Sequence, residues 1–495
     1  MVLTVGLVAD DATLDRRSLV LPVALAALGL WALASVAWSP AVAWPVLEAE
    51  RLLLYATAAG ALVLVVRPGR VEALLAGIVS GSAAVGLYAL STRLFPGRIG
   101  GAYDPSAGYQ LAEPIGYSNT LGMTLVIGLL VGVGLALRGG RMLRASAGGV
   151  LVPLTVALYF TFSRGALVAL AAGLLILLVL ERRALVGVPV LALAPATGVL
   201  LASRAPALPR AGEPLGAAQE QGARLAWQIV VLGLVGAAAA AGLHRVAAHR
   251  RPDAVRVRRL SLPAAAAVAA AVVVVLAREG GPVAVVDTAV AAFREESPTS
   301  SLDLGGRLLS VSGHGRADYW RVASGMAGRE PLLGEGAGSF ERHWLEERPA
   351  PHGARDAHNL YLETLAELGP LGLGLLLVAL GAPLTGLPRA RRARLVPAAA
   401  AAYAAFLVHA GVDWDWEVPL VVLPALACAA VLVAEARPAP PTGLTATRRA
   451  ALACAAAAAV ATGLVAHVGN GAIARSAAAL ERGDTEAAAA SARRA

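Results

Sequence analysis

RGALVALAAGLLILLVLERR, residues 164–183, decides the fold. From Gly165 to Leu180 it holds no polar or charged side chain. A helix that is apolar on every face belongs in a large core or a bilayer. The stretch ends on Arg182 and Arg183, as a span stopped at a charged interface would. Working outward, runs of similar length recur at 18–38, 44–66, 71–95, 119–137, 146–162, 165–181, 184–203, 225–243, 260–277, 359–386, 395–411, 418–436 and 450–468. A run of about 20 apolar residues crosses a hydrocarbon layer of about 30 Å. The expectation is an all-α polytopic membrane protein with about 13 spans, in the range 12–14.

The composition agrees. Over 495 residues, 57% are hydrophobic and 15% charged, against about 25% charged in a soluble domain. A water-soluble globule is excluded. The net charge of +9 would point to nucleic acid in a soluble chain, but its placement does not, and no nucleic-acid partner is expected. All 42 basic residues are Arg, in keeping with the Ala- and Gly-rich usage of a high-GC genome. Cys428 and Cys454 both sit in apolar runs and make no disulfide framework or metal site. No basic segment precedes the first short apolar stretch, so a cleaved signal peptide is not expected.

Every second connection is Arg-rich: Arg16/Arg17, Arg67/Arg70, Arg138/Arg141/Arg144, Arg182/Arg183, 245–259, 389–394, and Arg437 with Arg448/Arg449. Placing these inside gives a cytoplasmic N-terminus and an extracytoplasmic C-terminus. The partition expected is 1–277 N-terminal spans, 278–357 a large extracytoplasmic loop with short helices, 358–468 C-terminal spans and 469–495 a helical tail. The loop carries Arg307, His314, Arg316, Trp320, Arg321, Arg329, His343, His352, Arg355 and His358. So many outward arginines fit an anionic ligand outside the membrane.

Within the loop, RADYWRVASGMAG (316–328) reads as an amphipathic helix, with Trp320, Ala323 and Ala327 on one face, lying in the headgroup layer. PLLGEGAGSF (331–340) is a Gly-rich turn without the strand–helix context of a nucleotide loop. Asp356-Ala-His358-Asn359 enters the next span, with Asp356 as the expected N-cap and Asn359, Glu363 and Glu367 on one stripe. His358, in the first turn, would be held neutral by the helix dipole, as a general base requires. An interfacial polar belt is the plainer reading. Ser163-Arg164-Gly165 offers an Arg fork to a diphosphate, or a snorkelling Arg. Gly116-Tyr-Ser-Asn119 caps a helix. Asp413-Trp-Asp415-Trp-Glu417, one turn after His409, is either a hairpin cap or a divalent-ion pattern.

Taken in order, GYSNTLG (116–122), SRG (163–165), Gly315-Arg316-x-x-x-Trp320, PLLGEGAGSF and HNLYLETLAELGPLG (358–372) resemble the O-antigen ligase and Wzy-type polymerase superfamily. The resemblance covers most of 100–440. It implies glycosyl transfer at the outer face of the plasma membrane, from an undecaprenyl-diphosphate-linked glycan donor to a glycan, lipid or protein hydroxyl. It implies no metal and no cofactor. By the same resemblance His358 is the base and two arginines hold the diphosphate: Arg164 and Arg316, with Arg321 and Arg307 as rivals to Arg316. Asn119, Asn359 and Glu363 would support them. Two other readings stay open: a lipid-linked glycan transporter or flippase, and a metal-dependent oligosaccharyltransferase using Asp413 and Asp415. Against the transporter, the halves show no repeat.

Overall fold

The computed structural model describes residues 16–99, 109–209, 214–249, 315–349, 353–437, 475–480 and 482–493, with a few isolated positions besides. The expected spans 260–277 and 450–468, and with them Arg307, His314, His352 and Cys454, lie outside the described residues. Among those described, the chain is all-helical. The principal helices are α1 (Val20–Ala34), α2 (Ala43–Val65), α3 (Val71–Leu94), α4 (Ser118–Arg138), α5 (Arg141–Thr161), α6 (Arg164–Leu180), α7 (Ala184–Ser203) and α8 (Leu215–His249). Then come α9 (Arg316–Arg329), α10 (Phe340–Glu347), α11 (Leu360–Gly381), α12 (Val396–Ala410), α13 (Pro419–Glu435) and α14 (Thr485–Ala492).

Among the described residues, seven helical stretches are long and apolar enough to cross a membrane, and α6, α12 and α13 are apolar but shorter. The protein is a multi-pass membrane protein. α2 has the length, at 23 residues, but carries Glu48, Glu50 and Arg51. The expected 204–224 connection is shorter than anticipated, because α8 already starts at Leu215.

The bundle is built around α4, whose apolar window is 94% buried. It packs against α3, α5, α6, α12 and α13. Small residues let these helices close on it, as bilayer helices pack through glycine and alanine. A Cβ on Gly134 would stand 2.2 Å from the Ala398 Cβ, and one on Gly122 2.8 Å from that of Ala166. Glycine is therefore required at both crossings. The 21 residues of α4 span about 30 Å, so its two ends mark the two ends of the bundle.

At the C-terminal end, Arg138 binds Glu181 through two parallel hydrogen bonds, Nε to Oε2 at 2.5 Å and Nη2 to Oε1 at 2.9 Å. Nearby, Glu72 takes the Gly140 N–H at 2.7 Å and pairs with Arg394. Among the described residues, the Arg-rich connections around Arg138, Arg182/Arg183 and Arg394 thus gather at one end. The polar motifs GYSN, SRG and HN gather at the other.

A second small core sits at that polar end. Tyr319, Val322, Ala323 and Met326 of α9 pack with Phe340 and Trp344 of α10 and Ala366 of α11. α9 thus buries its apolar side on protein, with Trp320 and Ala327 of the expected face packed against the same core. In the tail, Asp484 caps α14 by accepting from the Ala487 N–H at 2.9 Å, just after Gly483 at φ 76°.

Candidate active site

The site grows from the start of the central helix. Residues 411–418, between α12 and α13, fold over the N-terminus of α4, and Asp413 is fully buried there. Its Oδ2 accepts from Arg316 Nη2 at 2.7 Å and Asn119 Nδ2 at 2.6 Å. Its Oδ1 accepts from the Tyr117 hydroxyl at 3.0 Å and the Trp414 N–H at 2.9 Å. Arg316 also donates Nε to the Val412 carbonyl at 2.7 Å. The guanidinium that opens α9 is therefore clamped to the turn by two of its groups at once, a carboxylate and a backbone carbonyl. Burial, the largest single influence, raises the Asp413 carboxyl, but the Arg316 guanidinium together with the other favourable groups around it, the Trp414 N–H among them, outweighs it, and the group stays below the ordinary carboxylate range.

Asp415, equally buried, accepts from the Thr120 hydroxyl at 2.8 Å. Its Oδ2 stands 2.6 Å from His409 Nδ1, and both side chains are wholly buried. A Cβ on Gly165 would lie 3.0 Å from His409 Nε2 and 3.7 Å from Val412. The SRG break is thereby fitted against this turn, with Phe162 in the left-handed region (φ 50°) and the Ser163 hydroxyl capping α6 through the Ala166 N–H at 3.2 Å. Both carboxylates of the Asp-x-Asp pattern face protein groups. The pattern forms a buried hub at the start of α4.

His358 lies just before α11 and not in its first turn. Asn359 is the N-cap, accepting from the Leu362 N–H at 3.1 Å, and Glu363 reaches back to the Ala357 N–H at 2.7 Å. Asp356 is not the cap. His358 itself is held at φ 55°, a costly conformation for a residue with a side chain. Its ring stacks on Tyr319 at 5.1 Å between centroids. Its Nδ1 is 3.0 Å from the Asp356 carbonyl oxygen. A carbonyl can only accept, so that contact places the proton on Nδ1 and leaves the Nε2 lone pair as the basic one. Burial lowers the His358 pKa against the pull of Asp413, so the ring is neutral near pH 7. Burial, more than the helix dipole, does what the sequence reading asked of the helix start.

The Gly-rich turn is spent on structure. Gly334, Gly336 and Gly338 all have positive φ. The N–H groups of Gly338 and Phe340 go to the two Glu367 carboxylate oxygens at 2.8 and 2.9 Å, and those of Glu335 and Gly336 to the Ala366 and Glu367 carbonyls. A Cβ on Gly334 would fall 2.4 Å from the Glu367 backbone. The turn is pinned onto α11 next to the kink at Gly369 (φ 66°), where Trp31 Nε1 donates to the Leu368 carbonyl at 2.9 Å. It holds the chain that carries His358.

A carboxylate group lies on the α2 side. Oxygens of Asp356, Glu363 and Glu417 fall within 4.8 Å of one another, close enough to share a cation. Arg51 pairs with Glu417 and with Glu48, and supplies positive charge there. Burial still pushes the Asp356 carboxyl up to about 6, against the opposing pull of Arg51 and Arg355.

The structure therefore brings together Asn119, Arg316 and His358, and sets Gly165, beside Arg164, against the same turn. Arg321 stands apart, with its side chain 54% exposed and its guanidinium 3.4 Å from Asp318. Sequence reasoning did not single out Tyr117, Thr120, Tyr319 or Arg51. The sign for Arg51 was present: three charges within an otherwise apolar span at 44–66. Residues 221–377 match the O-antigen ligase family. The match supports the superfamily resemblance carried by the motifs. It runs from α8 into α11 and contains Arg316, Arg321, His358, Asn359 and Glu363. The hub residues Asn119 and Asp413, and Arg164, lie outside the matched region. No curated protein matches the chain. The O-antigen ligase region points to glycan transfer at a membrane.

Proposed function

We propose that the protein is a metal-independent, inverting glycosyltransferase that moves a glycan from undecaprenyl diphosphate to an acceptor hydroxyl at the outer face of the plasma membrane. One observation carries the reading: a neutral histidine, His358, with its Nδ1 proton committed to the Asp356 carbonyl, set beside the clamped guanidinium of Arg316. The O-antigen ligase match over that segment supports it.

In the reaction, His358 Nε2 takes the acceptor hydroxyl proton as the oxygen attacks the anomeric carbon. The bond from that carbon to the diphosphate oxygen breaks on the opposite face, and the electron pair leaves with the diphosphate. Negative charge grows there, so guanidinium groups contribute more in the transition state than in the ground state. Arg316 and Arg164 take that part, with Arg321 an outer contact on the exposed side of α9. Asn119 fixes Asp413, and Asn359 and Glu363 fix the backbone on either side of His358. In this arrangement the Arg-rich end of the bundle faces the cytoplasm, and 278–357 is the extracytoplasmic loop that completes the site.

The reading is tested with purified His358→Ala and Arg164→Ala variants in an in vitro transfer reaction. Loss of the base is expected to lower kcat about 10²–10⁴-fold. Loss of one charge donor is expected to lower it about 10²–10³-fold. Normal transfer by both variants would refute the assignment.

A further inference from the structure

Beside the HN segment, the polar end of the bundle holds a cleft of about 370 Å³, outside the hub described above. This is within the range of small-molecule sites, roughly 300–1,000 Å³. One wall is Ser39 of the α1–α2 connection with Trp44 in the first turn of α2; the other is the end of the Gly-rich turn and α10, with Glu341, Arg342 and Glu346. The walls are fixed to each other. The Ala337 N–H donates to the Ser35 hydroxyl at 3.0 Å, and a Cβ on Gly338 would stand 2.4 Å from that of Trp44. The Arg355 guanidinium lies over the Trp44 indole, 4.3 Å from its centroid, and holds the ring in place. Arg355, which packs on the Trp44 wall, is three residues before His358 in the chain.

We infer that this cleft is a glycan-binding subsite that holds one or two sugar residues of the acceptor or donor glycan next to His358. The chemistry of the lining fits a sugar better than a lipid tail. An indole offers an apolar plane for the C–H face of a pyranose. Carboxylates accept from vicinal hydroxyls, and guanidinium and serine groups satisfy the ring and hydroxyl oxygens. Arg342 and Glu346 are already paired at 3.1 Å on the rim, both more than half exposed, so a hydroxyl can insert between them at little cost. Pro40, Ala41 and Leu345 complete the lining beside Trp44, but a membrane-embedded tail would also have to lie against two glutamates and an arginine. The inference rests on the proposed transfer reaction for its role, but not for the binding itself.

The test is binding without turnover. Purified full-length protein in detergent is screened on an array of bacterial surface oligosaccharides, and the best-retained oligosaccharide is titrated by calorimetry. Wild type and His358→Ala are expected to bind it equally. Trp44→Ala and the surface variant Glu346→Gln are expected to weaken it, by tenfold or more and by about threefold, with Trp44→Phe restoring part of the loss. Retention of no oligosaccharide by the wild type overturns the inference. Unchanged affinity in both Trp44→Ala and Glu346→Gln does so as well. Binding that follows this pattern while the wild type transfers nothing would uphold the subsite and overturn the transferase reading.

Discussion

The Arg316–Asp413 pair can be weighed by a double-mutant cycle. Asp413 is wholly buried and Arg316 has 17% of its side chain exposed, so solvent screens the pair little. Breaking a buried pair by removing one partner costs about 3–5 kcal/mol. Charge-assisted hydrogen bonds of the kind made at 2.7 Å contribute about 1.5–3 kcal/mol each. Asp413→Asn also turns an amide donor toward the groups on Oδ2, Arg316 and Asn119, so it is expected to cost about 3 kcal/mol. Arg316→Met leaves Asp413 with its Asn119, Tyr117 and Trp414 donors and is expected to cost about 2–3 kcal/mol. If the two act through each other, the double variant loses less than the sum by about 2 kcal/mol. Reversible unfolding by sodium dodecyl sulfate in mixed micelles gives all four free energies. Additivity within about 0.5 kcal/mol would refute the clamp and, with it, the reason α9 is placed against α4.

Other outcomes follow from the same geometry. Because burial lowers the His358 pKa, kcat/KM is expected to hold from neutral pH down past the ordinary imidazole value of about 6.5 and fall only below it; a midpoint above 7 would contradict this. The Asp356 carboxyl, at about 6 when folded and about 3.9 when unfolded, binds its proton more tightly in the folded chain. Its contribution to stability therefore grows as pH drops from about 7 to 5, and Asp356→Asn is expected to remove that slope from a thermal-stability profile. Gly334→Ala places a Cβ 2.4 Å from the Glu367 backbone at φ 73°, and is expected to destabilise by about 1–3 kcal/mol and lower Tm. Arg321→Ala is expected to reduce transfer far less than Arg316→Ala, since Arg321 is paired with Asp318 on an exposed face; equal losses would move the diphosphate contact along α9.

The helices were legible because their signal is periodic apolar length bounded by arginine. The buried run 119–137 could be found that way, but its central place could not. Glycines at 122 and 134 look like any others until their partners at Ala166 and Ala398 are known. In the site, His358 and Asn359 were legible because a polar pair opens an apolar helix. The cap was misassigned to Asp356, since Asp and Asn serve equally in sequence and only geometry separates them. Asp413 and Asp415 read as a possible ion site because carboxylate spacing says nothing about what fills their oxygens. Arg316, Asn119 and Tyr117 come from chain segments nearly 100 and 300 residues away from Asp413, contacts no local pattern encodes.

The central claim is tested most directly by incubating the purified protein in detergent and EDTA with a defined undecaprenyl diphosphate oligosaccharide, and following the lipid products by mass spectrometry. Longer glycans on the lipid, or free undecaprenyl diphosphate with a glycosylated acceptor, are expected. Turnover that appears only after magnesium or manganese is restored would contradict the metal-free mechanism and turn attention to Asp356, Glu363 and Glu417.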